Sequence, residues 1–206
     1  MAELTFEPES HTYRIGGIVV PSVTQVIDDQ LNDWEGVPLD AMEAARIFGA
    51  HVHEACHLMV RDELDWDSLD PELFPYVDAA RRFIDESGIT IIESETRMCD
   101  PGLMIAGTED IWGIIRDDYW LLDWKTPLQF PRSVGPQTAA YSHLRGKSRP
   151  TPRAPGKRNK PPHRRGCVQL NPKLCKNGYK LTECKDSTDW HYFLSARNCF
   201  RFKHRY

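Results

Sequence analysis

The sequence predicts an α/β domain in which a central mixed β-sheet is flanked by α-helices. Three observations carry that expectation. Between residues 90 and 126 the chain holds three successive runs, "TIIESETRM", "LMIAGTEDIWGII" and "DYWLLDWKT", with the period of two that marks extended strands. On both sides of this block, apolar residues recur every three to four positions, the period of helices buried along one face. The 206 residues suit one domain with its own core, and helices around strands in this order resolve into layers.

The elements follow in chain order. Thr12–Ile15 and Ile18–Val20 read as two short strands joined by Gly16-Gly17, a hairpin signal, and Pro21 ends them. Ser22 with Gln25 three positions later has the pattern of a capping box for a short helix. From Leu39 to about Val60 the residues Met42, Ala45, Ile47, Phe48, Val52, Cys56 and Met59 keep helical spacing, which puts His53 and His57 on one face. A further helix is expected over residues 71–87, with Gly88 as its stop. The three strands come next, with turns at Asp100-Pro101-Gly102 and Arg116-Asp117-Asp118. A helix from near Ser133 carries Gln137, Ala140, Tyr141 and Leu144. After it, "GKSRPTPRAPGKRNKPPHRR" has one Ala and five prolines, which predicts an extended basic loop over about 145–165. Strands at 166–170 and 178–184 precede a last helix from about Ser187, capped by Asp186 or Ser187, with Trp190, Phe193 and Leu194 on its apolar side.

Composition narrows the function classes. Apolar runs such as "YWLLDW" stop far short of the roughly 18 residues of a membrane span, and "MAELTFEPES" is acidic without an apolar signal core. A soluble, cytoplasmic protein is expected. The six cysteines are scattered without a C-x-x-C pair, so ordinary reduced thiols are expected rather than a zinc ribbon or a disulfide framework. Residues 1–144 carry 9 Lys/Arg against 27 Asp/Glu, whereas residues 145–206 carry 17 against 3. A basic third on an acidic body suggests a surface for a polyanion.

Two patterns offer chemistry. "HEACH", at His53 to His57, fits H-E-x-x-H, two imidazoles one helical turn apart with a glutamate between them. In "LLDWKT" alternation puts Asp123 and Lys125 on one strand face amid Trp120, Leu121, Leu122 and Trp124, an awkward place for two charges without a purpose. The preceding strand, if antiparallel, brings Asp110 beside Asp123, and two crowded carboxylates call for a cation. Oxygen ligands of this kind suit Mg²⁺ or Mn²⁺. Glu93 and Glu95, one strand earlier, are further acidic candidates.

Gly49-x-x-x-His53, Gly107-x-x-Asp110, Asp123-x-Lys125 and Gln137-x-x-x-Tyr141, in this order, resemble the motifs of the RecB-type branch of the PD-(D/E)XK nuclease superfamily, which includes phage recombination exonucleases. The opening "HTYRIGGIVVPSVTQVI" also looks like that of phage members. The resemblance runs from about residue 6 to the final helix, interrupted by the basic loop. It implies a restriction-endonuclease-like core and a metal-dependent deoxyribonuclease, in first place an exonuclease of phage recombination, repair or DNA processing. It implies His53, Asp110 and Asp123 as ligands of Mg²⁺ or Mn²⁺, with Lys125 orienting or activating the attacking water. Gln137 and Tyr141 would contact DNA or the catalytic Lys, and Glu95 is an additional candidate ligand that Glu93 rivals. The implied partners are DNA ends and a single-strand annealing recombinase. The iron–sulfur subset of the family needs a tight C-terminal Cys cluster that these spacings lack, so no iron–sulfur cluster is expected.

Two features fit a nucleic-acid substrate: the basic segment from Arg145 to Arg165, suited to phosphates, and Trp34, Trp112 and Tyr141, which offer faces for bases although core packing is the commoner role of such residues. Two alternatives remain. A nuclease fold kept only for binding DNA or protein needs no catalysis, which the intact motif residues oppose. A zinc peptidase built on HEACH lacks the third His and Gly of one class, and a Glu from the 71–87 helix would have to complete the other, leaving Asp110, Asp123 and Lys125 without a role.

Overall fold

The computed structural model describes residues 3–148, 164–174 and 176–205. An N-terminal antiparallel sheet is built from β1 (Leu4–Glu7), β2 (Thr12–Ile15) and β3 (Ile18–Val20), in that order. Strand β1 is the element sequence patterning misses: four residues are too few to show a period, and its place is set by pairing Leu4 with Ile15 through Glu7 with Thr12. Helix α1 (Val23–Gln30) starts at Ser22, whose hydroxyl accepts the Gln25 N–H while the Gln25 side chain accepts the Ser22 N–H. Both halves of the expected capping box are therefore made.

Helix α2 (Leu39–Val60) has the expected bounds. Helix α3 (Phe74–Ser87) begins three residues later than expected, because 71–73 form a turn and Pro75 stands at its start, where its missing N–H costs nothing. Gly88 ends it in the left-handed conformation at φ 65°. The main sheet then follows as β4 (Thr90–Asp100), β5 (Ile105–Ile115) and β6 (Asp118–Lys125), then α4 (Val134–Ser148), β7 (Arg164–Leu170), β8 (Tyr179–Glu183) and α5 (Asp189–His204). Thr188 is the residue before α5 and makes no side-chain cap; Asp186 accepts from the Thr188 N–H and hydroxyl instead. The segment 149–163, most of the expected basic loop, lies outside the described residues. Its expected ends do not belong to a loop: Arg145 is in α4, and Arg164 and Arg165 open β7.

The order in the main sheet is β4-β5-β6-β7-β8, antiparallel except for β6 with β7. It is the mixed sheet expected, with helices on both faces. Val52, Cys56, Val77 and Phe83 of α2 and α3 pack with Ile111, Leu122, Trp124 and Val168 on one face. On the other, Val26, Tyr141, Leu144 and Phe193 of α1, α4 and α5 meet Met98, Trp112 and Leu121. Trp112 is thus core, 3% exposed, stacked on Tyr119 and covered by the Arg145 guanidinium at 4.3 Å, so no face of it is left for a base.

The pairing pattern opens the sheet at one point. The β5–β6 ladder ends at Ile111↔Leu122, so Asp110 and Asp123 are the next residues out, where the two strands part. The Trp124 N–H turns to the Asp110 carboxylate at 2.7 Å instead of to a strand carbonyl. Beyond that fork β5 stays paired to β4 and β6 to β7. The fork lets groups from both helical layers meet in one hollow.

Candidate active site

The hollow is a cavity of about 400 Å³, and its walls come from seven elements. The β5 and β6 strands bring Asp110, Asp123 and Lys125; α2 brings Gly49 and His53; β4 brings Glu95; α4 brings Gln137 and Tyr141. Of the metal-ligand and catalytic positions implied by the motif resemblance, all except Glu93, the rival to Glu95, line it.

His53 reaches across the fork, its Nδ1 3.3 Å from Asp110 Oδ2. Burial pushes this imidazole down, but the charge and hydrogen bond of Asp110 outweigh it and hold His53 up at about 9. The same contact, against burial, holds Asp110 below the usual carboxylate range. On the neighbouring strand Lys125 Nζ lies 2.6 Å from Asp123 Oδ2. Burial pushes Lys125 down, yet Asp123 and Asp110 overcome it, and its pKa lies above the ordinary value. Lys125 is therefore an ammonium. Asp123 is raised by burial and by Asp110, with Lys125 opposing. Its Oδ1 accepts from Gln137 Nε2 at 3.0 Å, while Oδ2 has the ion pair but no directed hydrogen bond. Gln137 thus reaches the Asp123 carboxylate, and its amide also lies 3.5 Å from the Tyr141 hydroxyl.

The choice between Glu93 and Glu95 is made by the backbone. A register shift between Ile91 and Glu93 inserts an extra residue into β4; it precedes both glutamates and turns them together, so what sets them apart is the backbone at Glu95 itself. Glu93 points at α4, where it pairs with Arg145. Glu95, at φ 50°, turns into the cavity, where burial and then the Asp110 charge raise it to about 8. A left-handed backbone at a non-glycine residue is strained, and such strain gathers at functional positions.

His53, Glu95 and Asp110 each offer one ligand atom, all within 4.8 Å of one another. Two carboxylates and an imidazole, with the second oxygen of Asp123 undirected beside them, fit a divalent cation: a bound charge would relieve the crowding that raises Glu95. His57 does not join them; its Nδ1 is 2.7 Å from the hydroxyl of Ser94, the residue before Glu95 on β4. The two histidines of HEACH therefore have separate partners.

Other lining residues were not singled out by sequence. Tyr13 and His11 come from the N-terminal sheet, Thr24 from α1, and Thr126 from the end of β6. The Tyr13 hydroxyl shares a 2.6 Å hydrogen bond with Thr108, two residues from Asp110. Alternation along Thr12–Ile15 does bury Tyr13 with Ile15, but nothing in that hairpin says which sheet it covers. Gly107 has a steric reason: a Cβ there would lie 2.8 Å from Tyr141 Cε1. Gly49 has none of that kind, its nearest neighbour being Thr126 Oγ1 at 3.9 Å; it leaves the wall of the cavity open.

No protein-family model matches the chain, and no curated protein matches its sequence. Among solved structures, an alkaline exonuclease (LHK-Exo) from Laribacter hongkongensis is similar at 13% identity over 88% of this chain and 86% of that one, with a TM-score of 0.41. The same enzyme in complex with dAMP is similar at 16% identity over 89% and 87% of the chains, with a TM-score of 0.38. Similarity this low adds nothing to what the side chains themselves present.

Proposed function

We propose that the chain is a metal-dependent deoxyribonuclease that hydrolyses phosphodiester bonds, acting as an exonuclease on DNA ends. The observation that carries this reading is the convergence of His53, Glu95 and Asp110 within 4.8 Å beside the ion pair of Lys125 with the buried Asp123. His53, Glu95 and Asp110, with Asp123 alongside, would hold Mg²⁺ or Mn²⁺, hard cations suited to oxygen-rich donor sets. A cation there supplies Lewis-acid polarisation of the phosphoryl group and a lowered pKa for the attacking water.

The protein's own groups do the rest. Lys125, an ammonium beside the Asp123 carboxylate, donates hydrogen bonds, which fits orienting the water and stabilising negative charge on the phosphate in the transition state. Asp123 holds the ammonium in place, and Gln137 fixes the other oxygen of that carboxylate. Tyr141, whose hydroxyl is pushed well above its ordinary pKa by burial and then by Asp123 and Asp110, stays neutral and acts as a hydrogen-bond donor. The basic final third of the sequence suits a phosphate backbone, and the DNA choice and the exonuclease mode rest on the motif resemblance.

The test is incubation with end-labelled linear and closed circular DNA in Mg²⁺, Mn²⁺, Zn²⁺ or EDTA. Degradation of linear DNA with Mg²⁺ or Mn²⁺, absent in EDTA and lost in Asp123→Ala and Lys125→Ala, is expected. Undiminished cleavage by both variants would remove this mechanism.

A further inference from the structure

Beside the cavity runs a second open groove of about 530 Å³ between α1, the turn after it and residues 127–137. Thr24, Lys125, Pro127 and Gln137 line both hollows, so they form one trough with Lys125 at the boundary. The two ends differ in chemistry. The cavity end is a cluster of ionised groups; the groove end carries two large aromatic side chains, Trp34 at 44% and Phe130 at 38% exposure. Trp34 is held in place: its indole N–H donates to the Asp28 carbonyl at 3.3 Å, and its own carbonyl accepts from the Val37 N–H at 3.1 Å.

The charge on the groove walls selects the occupant. Asp28 and Asp33 line it, and Lys125 is the one cation among its described lining residues. A phosphate is repelled there and drawn to the Lys125 end. A flat, neutral heterocycle with N–H donors on its edge fits both the aromatic faces and the carboxylate acceptors. We propose that the groove is a base subsite: the nucleobase next to the scissile phosphate stacks on Trp34 and Phe130, with its exocyclic amine toward Asp28 and Asp33. This rests on the phosphodiesterase reading above. It narrows the substrate to a strand whose last nucleotide is unpaired, since a paired terminal base has one face stacked on its neighbour and its exocyclic amine engaged in pairing, and it favours adenine, cytosine and guanine over thymine, which has no exocyclic amine.

Two measurements separate this from the hydrolase reading. Labelled short single strands, with either a normal or an abasic nucleotide at the cleaved end, are bound in EDTA and followed by fluorescence anisotropy. The wild type is expected to prefer the base-bearing strand about tenfold, the scale of one base–aromatic stack. Trp34→Ala brings that ratio close to one, and Trp34→Phe keeps most of it. Equal binding of both strands by the wild type, or an unchanged ratio in Trp34→Ala, overturns the subsite. The same strands are then tested for cleavage in Mg²⁺ and Mn²⁺. Base-dependent binding without any cleavage removes the hydrolase and leaves the subsite standing; cleavage indifferent to the base removes the subsite alone.

Discussion

Arg145 shows how far a single residue can depart from its sequence context. It opens the basic stretch, and charge alone assigns it to a phosphate, yet it is 3% exposed and paired with Glu109 and Glu93 beneath α4. Glu109 is fully buried, so Arg145→Ala leaves a carboxylate without its counter-charge, a loss of about 3–5 kcal/mol. Urea unfolding should show that drop, whereas a residue serving only DNA would leave stability unchanged. Glu95 presents the opposite case, a charge the fold tolerates at a cost. Held up at about 8 by burial and Asp110, it contributes stability as a neutral acid and loses it when ionised, so its pairing with a cation is its compensation. Glu95→Gln is therefore expected to raise the melting midpoint of the metal-free protein by a few degrees, at about 2–4 °C per kcal/mol for a chain of this size, and to remove most of the upward shift that Mn²⁺ gives the wild type. A variant that keeps the full Mn²⁺ shift would take Glu95 out of the ligand set. Asp110, Asp123 and His53 were legible because strand alternation and helical spacing define their faces; Glu95 against Glu93 was not, because two residues of equal parity are equivalent by alternation and the left-handed backbone at Glu95 has no signature there.

Among the elements, α4 and β5 have to approach closely for the site to form. Gly107 permits it: Tyr141 packs where a Cβ would sit, at 2.8 Å. Gly107→Ala is expected to cost about 1–3 kcal/mol as overpacking and to lower the cleavage rate more than DNA affinity, because the ring it displaces is one turn from Gln137. Thermal unfolding and a comparison of rate with binding check this, and an unstrained, fully active variant would show that Tyr141 has room to yield. The elements other than β1 were readable, since the bounds of α2 and the turns around β5 follow from periodicity and punctuation. What periodicity does not carry is where a ladder stops. The end of the β5–β6 pairing at Ile111↔Leu122 creates the fork, and that is a property of four strands and two helical layers together.

At the scale of the whole molecule, the site is assembled from positions spread between His11 and Tyr141, and the basic charge lies beyond all of them in the sequence. Residues 149–163 hold Arg149, Arg153, Lys157, Arg158 and Lys160 and no acidic residue. Exchanging these five for Ser should weaken DNA binding and flatten the slope of log affinity against log salt, by as much as about 4 if each meets a phosphate. The Mn²⁺-induced rise in melting midpoint should stay intact. An unaltered slope would separate the basic segment from the substrate. The layered α/β fold was legible in the element order, while the hairpin's contribution of Tyr13 and His11 was not, because no local pattern links β2 to β5. The most direct measurement of the central claim is anomalous diffraction from a crystal soaked in Mn²⁺: a peak within coordination distance of His53, Glu95 and Asp110 is predicted, and a peak between His53 and His57, or none in the cavity, would contradict it.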